Sequence, residues 1–172
     1  MWWFRIFIIS LVTPLASCGF HPVYSQKSQD TANPEMAAFF REITIDEIPN
    51  KSGQDLKNSL YDALNPASVS SDKKYRLEVK LKRDIIPLII EKDRSITRYS
   101  LVYTAILNLS ETASGKVIYS GTSRTSGSYD ALNSDYAVYM AEGDTGYRVI
   151  KDMADDIKNK LTSFYIKRDK KE

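Results

Sequence analysis

KYRLEVKLKR, residues Lys74 to Arg83, decides the fold class of this chain. Tyr75, Leu77, Val79 and Leu81 fall on one side of a two-residue period, and Arg76, Glu78, Lys80 and Lys82 on the other. Successive side chains of a strand point to opposite faces, so this segment reads as a strand with one dry and one wet face. Downstream, Arg94 to Ser110 reads as a longer strand, with Tyr99, Leu101, Tyr103, Ala105, Leu107 and Leu109 sharing a face. Ser114-Gly115 supplies a turn, and Lys116 to Thr125 returns as the hairpin partner. Between the first two strands, residues 84–93 (DIIPLIIEKD) hold an apolar run split by Pro87. A proline there is compatible with an edge segment or a hydrophobic loop.

Working outward, Arg41 to Ile48 alternates polar and apolar residues and reads as a strand stopped by Pro49-Asn50. Leu56, Leu60 and Leu64 lie at i, i+4 and i+8, which predicts a helix over 53–64, capped by Ser52 or Gly53 and ended by Asn65-Pro66. Ser134 opens a long helix reaching Phe164, with Ile150, Met153, Ile157, Leu161 and Phe164 as its apolar stripe. Gly143 and Gly146 weaken its first part. The order strand, helix, three strands, helix gives an α+β fold: a two-layer sandwich, with a four-stranded sheet and two helices packed on one face.

The first residues carry an address. Met1 to Arg5 is short and basic, Ile6 to Val12 is an apolar run with one serine, and Thr13 to Ser17 are mostly small residues before Cys18. That is the layout of a signal peptide, and the run is shorter than the ~20 residues a spanning helix needs. Leu15-Ala16-Ser17-Cys18 resembles the bacterial lipobox, with Ser17 a mild departure from the usual Gly or Ala. It implies cleavage before Cys18 and lipidation there with a diacylglyceryl group and an N-acyl chain of the palmitate type. Two or more chains exceed the marginal binding of a single one. Gly19 in place of Asp favours sorting to the outer membrane. The expected organisation is a signal peptide over 1–17, a lipidated tether over 18–35, an α/β domain over 36–166 and a charged tail over 167–172. Pro22, Pro34 and the Ser, Asn and Asp residues between them mark the tether.

Composition then narrows the chemistry. Of 172 residues, 42% are hydrophobic and 27% charged, as in a folded domain. The net charge is +2, too close to neutral for bulk nucleic-acid binding. Cys18 and His21 are the single cysteine and histidine, so neither a disulfide within the chain nor a Cys/His metal site is expected. His21 sits in the tether, where nothing would hold it for catalysis. Asp155-Asp156 point about 100° apart on a helix and are expected to solvate it or pair with Arg148, Lys151 or Lys160. No catalytic set, metal or cofactor is expected, and the protein reads as non-enzymatic. The remaining feature is a basic fringe (Arg76, Lys80, Lys82, Arg83, Arg94, Arg98 and Arg124) around the apolar segment Ile85 to Ile90. Such a fringe suits an anionic amphiphile, because arginine grips phosphate bidentately. It equally suits a solvated sheet face.

Cys18-Gly19-Phe20-His21-Pro22-Val23-Tyr24 after a lipobox resembles the mature start of the LPS-assembly lipoproteins, the LptE family. Gly53 to Leu60 is similar to that family's first helix. Asp135-Tyr136-Ala137, Ala141-Glu142, Arg148, Ala154 to Ile157 and Leu161 are similar to its last. The resemblance implies a lipid-anchored, non-enzymatic protein of the Gram-negative outer membrane. Such a protein plugs and helps assemble a translocon β-barrel (LptD-like) and contacts lipopolysaccharide. From the basic fringe, Arg94, Arg98, Arg83, Lys82 and Arg124 are the candidate lipopolysaccharide-binding residues, and Cys18 the lipidation site. The competing expectation is a generic periplasm-facing lipoprotein that binds a small ligand or acts as an adaptor.

Overall fold

The computed structural model describes residues 34–64, 72–90, 96–131 and 134–169. Seven elements follow in chain order: α1 (Pro34–Arg41), β1 (Ile43–Ile45), α2 (Asn50–Leu64), β2 (Tyr75–Ile90), β3 (Ile96–Glu111), β4 (Val117–Asp130) and α3 (Asp135–Asp169). The strands form one mixed sheet in the order β1-β2-β3-β4. β1 runs parallel to β2, while β2, β3 and β4 are successive antiparallel neighbours. The α+β architecture expected from alternation is therefore present, with a short third helix in front of it.

That helix changes the reading of the domain's start. Residues 34 and 35 open α1 rather than closing a tether, with Pro34 first and Glu35 in the first turn, where each is tolerated or favoured. Phe39 and Phe40 are buried, and Phe39 packs against Tyr75 and Tyr165, ring centroids 5.2 and 5.0 Å away. The strand expected over 41–48 shrinks to Ile43–Ile45, because Arg41 closes α1 and Asp46 onward turns into α2. Gly53 does not cap α2. It lies inside the helix, where a Cβ would come within 2.5 Å of the Ile48 carbonyl oxygen, so it serves a close approach.

Burial follows the predicted stripes. Leu56, Leu60 and Leu64 of α2 are buried, as are Leu77 and Val79 of β2 and Leu101, Tyr103, Ala105, Leu107 and Leu109 of β3. From α3 come Val149, Ile150, Met153, Ala154, Ile157 and Leu161. The β3–β4 turn places Gly115 at φ 66°, and its N–H donates to the Glu111 carbonyl (2.8 Å). Pro87 proves to be strand: the β2–β3 register runs unshifted from Tyr75↔Glu111 to Pro87↔Tyr99 and shifts only after it. β4 continues five residues past the expected Thr125, held by pairing with the start of β3. Among the described residues, no helix is long and apolar enough to cross a membrane.

Candidate functional site

The two faces of the sheet differ in chemistry. The helices cover the face of Leu77, Leu101 and Leu109. On the other face the register lines up rows across β2, β3 and β4: Lys80-Ile106-Thr122, Lys82-Thr104-Arg124, Asp84-Val102-Ser126 and Ile86-Ser100-Ser128. Hydroxyls therefore alternate with a few charges. Lys80 pairs with Glu78 (3.3 Å) and Lys82 with Asp84 (3.0 Å). Arg124 is exposed and forms no ion pair among the described residues.

The expected basic residues divide on this geometry. Lys82 and Arg124 share one row with Thr104 between them. Arg98 lies on the same face at its far end, where its Nε donates to Asp130 Oδ1 (2.7 Å). That bond holds Asp130 below the ordinary carboxylate range and Arg98 above its own. Arg83 has odd parity on β2 and stands on the helix side, paired with Glu142 of α3. Arg94 and Cys18 lie outside the described residues.

Arg83 belongs to a second feature. A cleft of about 620 Å³ opens between the N-terminal ends of α2 and α3 above the sheet. Leu101 and Tyr103 line it from β3, Lys51 and Asp55 from α2, and Tyr139, Met140 and Tyr147 from α3. Ser52 and Tyr103 share a hydroxyl hydrogen bond (3.0 Å) across it. Glu142 ties α3 to two strands here: Arg83 of β2 pairs with one of its oxygens, and the Tyr129 hydroxyl of β4 donates to the other (3.1 Å). Burial, then the hydrogen bond to Glu142, push the Tyr129 phenol up to about 12. Tyr99 stacks on Tyr129 with centroids 5.5 Å apart.

None of the first ten residues of α3 is buried. Tyr136, Tyr139, Met140 and Tyr147 are 73%, 70%, 52% and 62% exposed. Spacings of three, four and seven residues set them along one side of the helix. Their helical spacing is visible in the sequence, but only their exposure on α3 distinguishes them from a core stripe. Exposed aromatic clusters are a signature of interface cores. Farther along, Asp156 accepts from Lys160 and from buried Ser123 (2.5 Å), tying α3 to β4. Burial raises the Asp156 carboxyl, but those two donors outweigh it and hold the group below its usual range.

Solved structures share this architecture. A lipoprotein from Caulobacter crescentus aligns with TM-score 0.63 at 20% identity, covering 76% of this chain and 96% of its own. A minor lipoprotein from Acinetobacter baumannii gives 0.59 at 24% identity, covering 72% and 92%. Rare lipoprotein B from Shewanella oneidensis gives 0.58 at 12% identity, covering 74% and 96%. At these identities the likeness is one of fold. No curated protein sequence matches the chain. A family model described as "LptE: Lipopolysaccharide-assembly" matches residues 40–161, from the end of α1 almost to the end of α3. On that match, the chain belongs to the LptE lipopolysaccharide-assembly family.

Proposed function

We propose that this protein is a lipid-anchored, non-enzymatic outer-membrane lipoprotein. It partners the lipopolysaccharide translocon barrel, aids its assembly and contacts lipopolysaccharide during delivery to the cell surface. The observation that carries the reading is the family match across nearly all of the α/β domain. Its surfaces support a division of labour. The exposed tyrosines of α3 suit a protein wall, since tyrosine combines a large apolar body with a polar tip. The open sheet face, with Lys82 and Arg124 in one row and Arg98 beyond, suits phosphate groups beside hydroxyl-rich sugar.

The anchor belongs to the same proposal. With Cys18 lipidated, the domain is confined to a membrane surface, which raises its effective concentration near a barrel in that membrane. Cys18→Ala is expected to accumulate as a larger precursor, to take up no labelled palmitate and to co-purify less with the barrel from detergent-solubilised outer membrane. Equal palmitate incorporation by wild type and variant would refute the anchor. Absence of any barrel from the wild-type eluate would refute the partner.

The open cleft at the ends of α2 and α3 favours a second reading, that of a small-ligand lipoprotein. A low-mass compound retained in that cleft through purification, with no barrel attached, would establish it.

A further inference from the structure

One carboxylate holds the start of α3 to the sheet. Residues 135–142 make about two turns, and none of them is buried. Val138 and Ala141 are half-buried at the margin of the core. Glu142 uses both of its oxygens on the sheet, one in the ion pair with Arg83 of β2 and the other in the hydrogen bond from Tyr129 of β4 (3.1 Å). Among the described residues, no other side chain of this stretch makes a hydrogen bond or ion pair. From Thr145 onward the helix is seated: Thr145 and Val149 lie close over Gly127 of β4, and Ile150, Met153 and Ile157 are buried.

Gly143 separates the two parts. It is exposed, and a Cβ there would meet nothing within 4 Å, so packing does not call for a glycine at this position. Its effect is to weaken the helix, because glycine gives up the most backbone entropy on becoming helical. The residues ahead of it add little, since Asp135, Tyr136, Val138 and Tyr139 are poorer helix formers than alanine or leucine. Two turns are also too few to persist as an isolated helix in water. The helical state of 135–142 therefore rests on its docking. The exposed aromatic row straddles the break: Tyr136, Tyr139 and Met140 precede Gly143, and Tyr147 follows it. Tyr139 and Met140 also line the cleft, together with Leu101, Tyr103 and Ile150 of the seated part.

We infer that residues 135–142 form an arm that opens independently of the rest of the domain, with its break at Gly143, and that Glu142 is the latch that holds it closed. Closed, the arm joins Tyr136, Tyr139 and Met140 to Tyr147 in one row. Open, it splits that row and takes away one wall of the cleft. A partner that grips the whole row selects the closed state, and its apparent affinity is reduced in proportion to the closed fraction. Glu142 is thus a positioning residue for the row. The inference concerns the free chain and does not depend on which partner uses the row.

The test is native-state hydrogen exchange of the full chain at low urea concentrations. The amides of Tyr139, Met140 and Ala141 have their helical acceptors within the arm. They should exchange through an opening with little urea dependence, because it exposes little surface. Those of Met153, Ala154 and Ile157 should show the steep dependence of global unfolding. Glu142→Ala should speed exchange at 139–141 at least ~10-fold. Alanine is the better helix former, so that loss cannot come from helix propensity. Arg83→Met and Tyr129→Phe should each act less strongly, and neither should add to Glu142→Ala, whose shared carboxylate is already gone. Ile157→Val, a core change about four turns beyond the latch, should speed exchange in the core and leave the arm amides at their wild-type rates. The latch would be overturned by arm amides that follow the urea dependence of the core, that accelerate with Ile157→Val, or that keep their wild-type rates in Glu142→Ala. A full additional effect of Arg83→Met on top of Glu142→Ala would overturn it as well.

Discussion

A methyl group on Gly127 would sit 2.6 Å from Val149 Cγ2 and 2.8 Å from Thr145 Cγ2, while one on Gly143 would meet nothing within 4 Å. Gly127 is where β4 lets α3 come close, and Gly143 is a helix-interior residue open to solvent. Gly127→Ala should therefore destabilise the domain by about 1–3 kcal/mol through overpacking. Gly143→Ala should stabilise it by roughly 0.5–1 kcal/mol, because alanine loses less backbone entropy in a helix. Urea denaturation of both variants measures the contrast, and the same sign for both would contradict the close approach. Tyr129 gives a pH-dependent counterpart. Its folded pKa of about 12 lies above the ordinary value of 10.0. The stability it contributes is complete below pH ~10 and is lost as pH rises from there through about 12. Tyr129→Phe should cost about 1 kcal/mol at neutral pH by removing the bond to Glu142. The gap to wild type should close across that alkaline window. A gap independent of pH, in urea titrations at matched ionic strength, would show that the phenol is not perturbed.

At the level of elements, legibility depended on how much of each stripe was apolar. β2 and β3 were readable because Leu77 and Val79, and Leu101 through Leu109, alternate cleanly and end fully buried. The α2 stripe was equally plain. Leu60→Asp, which buries an unpaired charge at a site of zero exposure, should cost more than about 3 kcal/mol; an unchanged thermal melt would contradict the helix face. Three elements were harder, each for a physical reason. α1 is only eight residues long, and its stability comes from Phe39 and Phe40 docking on the core, a tertiary effect with no local signature. The last residues of β4, Ser126 to Asp130, have poor strand propensity and are held by their partners on β3. Pro87 left two readings open because sequence does not say which way a backbone N–H points. Parity along β2 decides it: the missing donor faces the outer edge, where no ladder bond is lost.

Over the whole domain, the two candidate surfaces lie on opposite sides of the sheet, and that separation can be tested. The sequence identified the basic residues but not their faces as a set. Arg83 could have been assigned from its odd position after Leu81, whereas the alignment of Lys82 with Arg124 needed the β2–β3–β4 register. Lys82→Glu with Arg124→Glu reverses two charges on the open face without touching the core. Charge-assisted contacts to phosphate are worth about 1.5–3 kcal/mol each where water is partly excluded, so lipopolysaccharide affinity should fall at least ~10-fold. Adding Arg98→Glu should deepen the loss only modestly, since that guanidinium must first leave Asp130, and an exposed pair of this kind is worth about 0–1 kcal/mol. Barrel co-purification and the melting temperature should stay near wild type. Tyr139→Ser with Tyr147→Ser should do the reverse. Removing two aromatic anchors from an interface commonly costs 1 kcal/mol or more each, by order of magnitude, so barrel recovery should drop while lipopolysaccharide binding persists. If each double variant impaired both activities equally, the two faces would not be separate sites. If the sheet-face variant alone lost the barrel, that face would belong to the protein interface and lipopolysaccharide contact would have to be sought elsewhere on the domain.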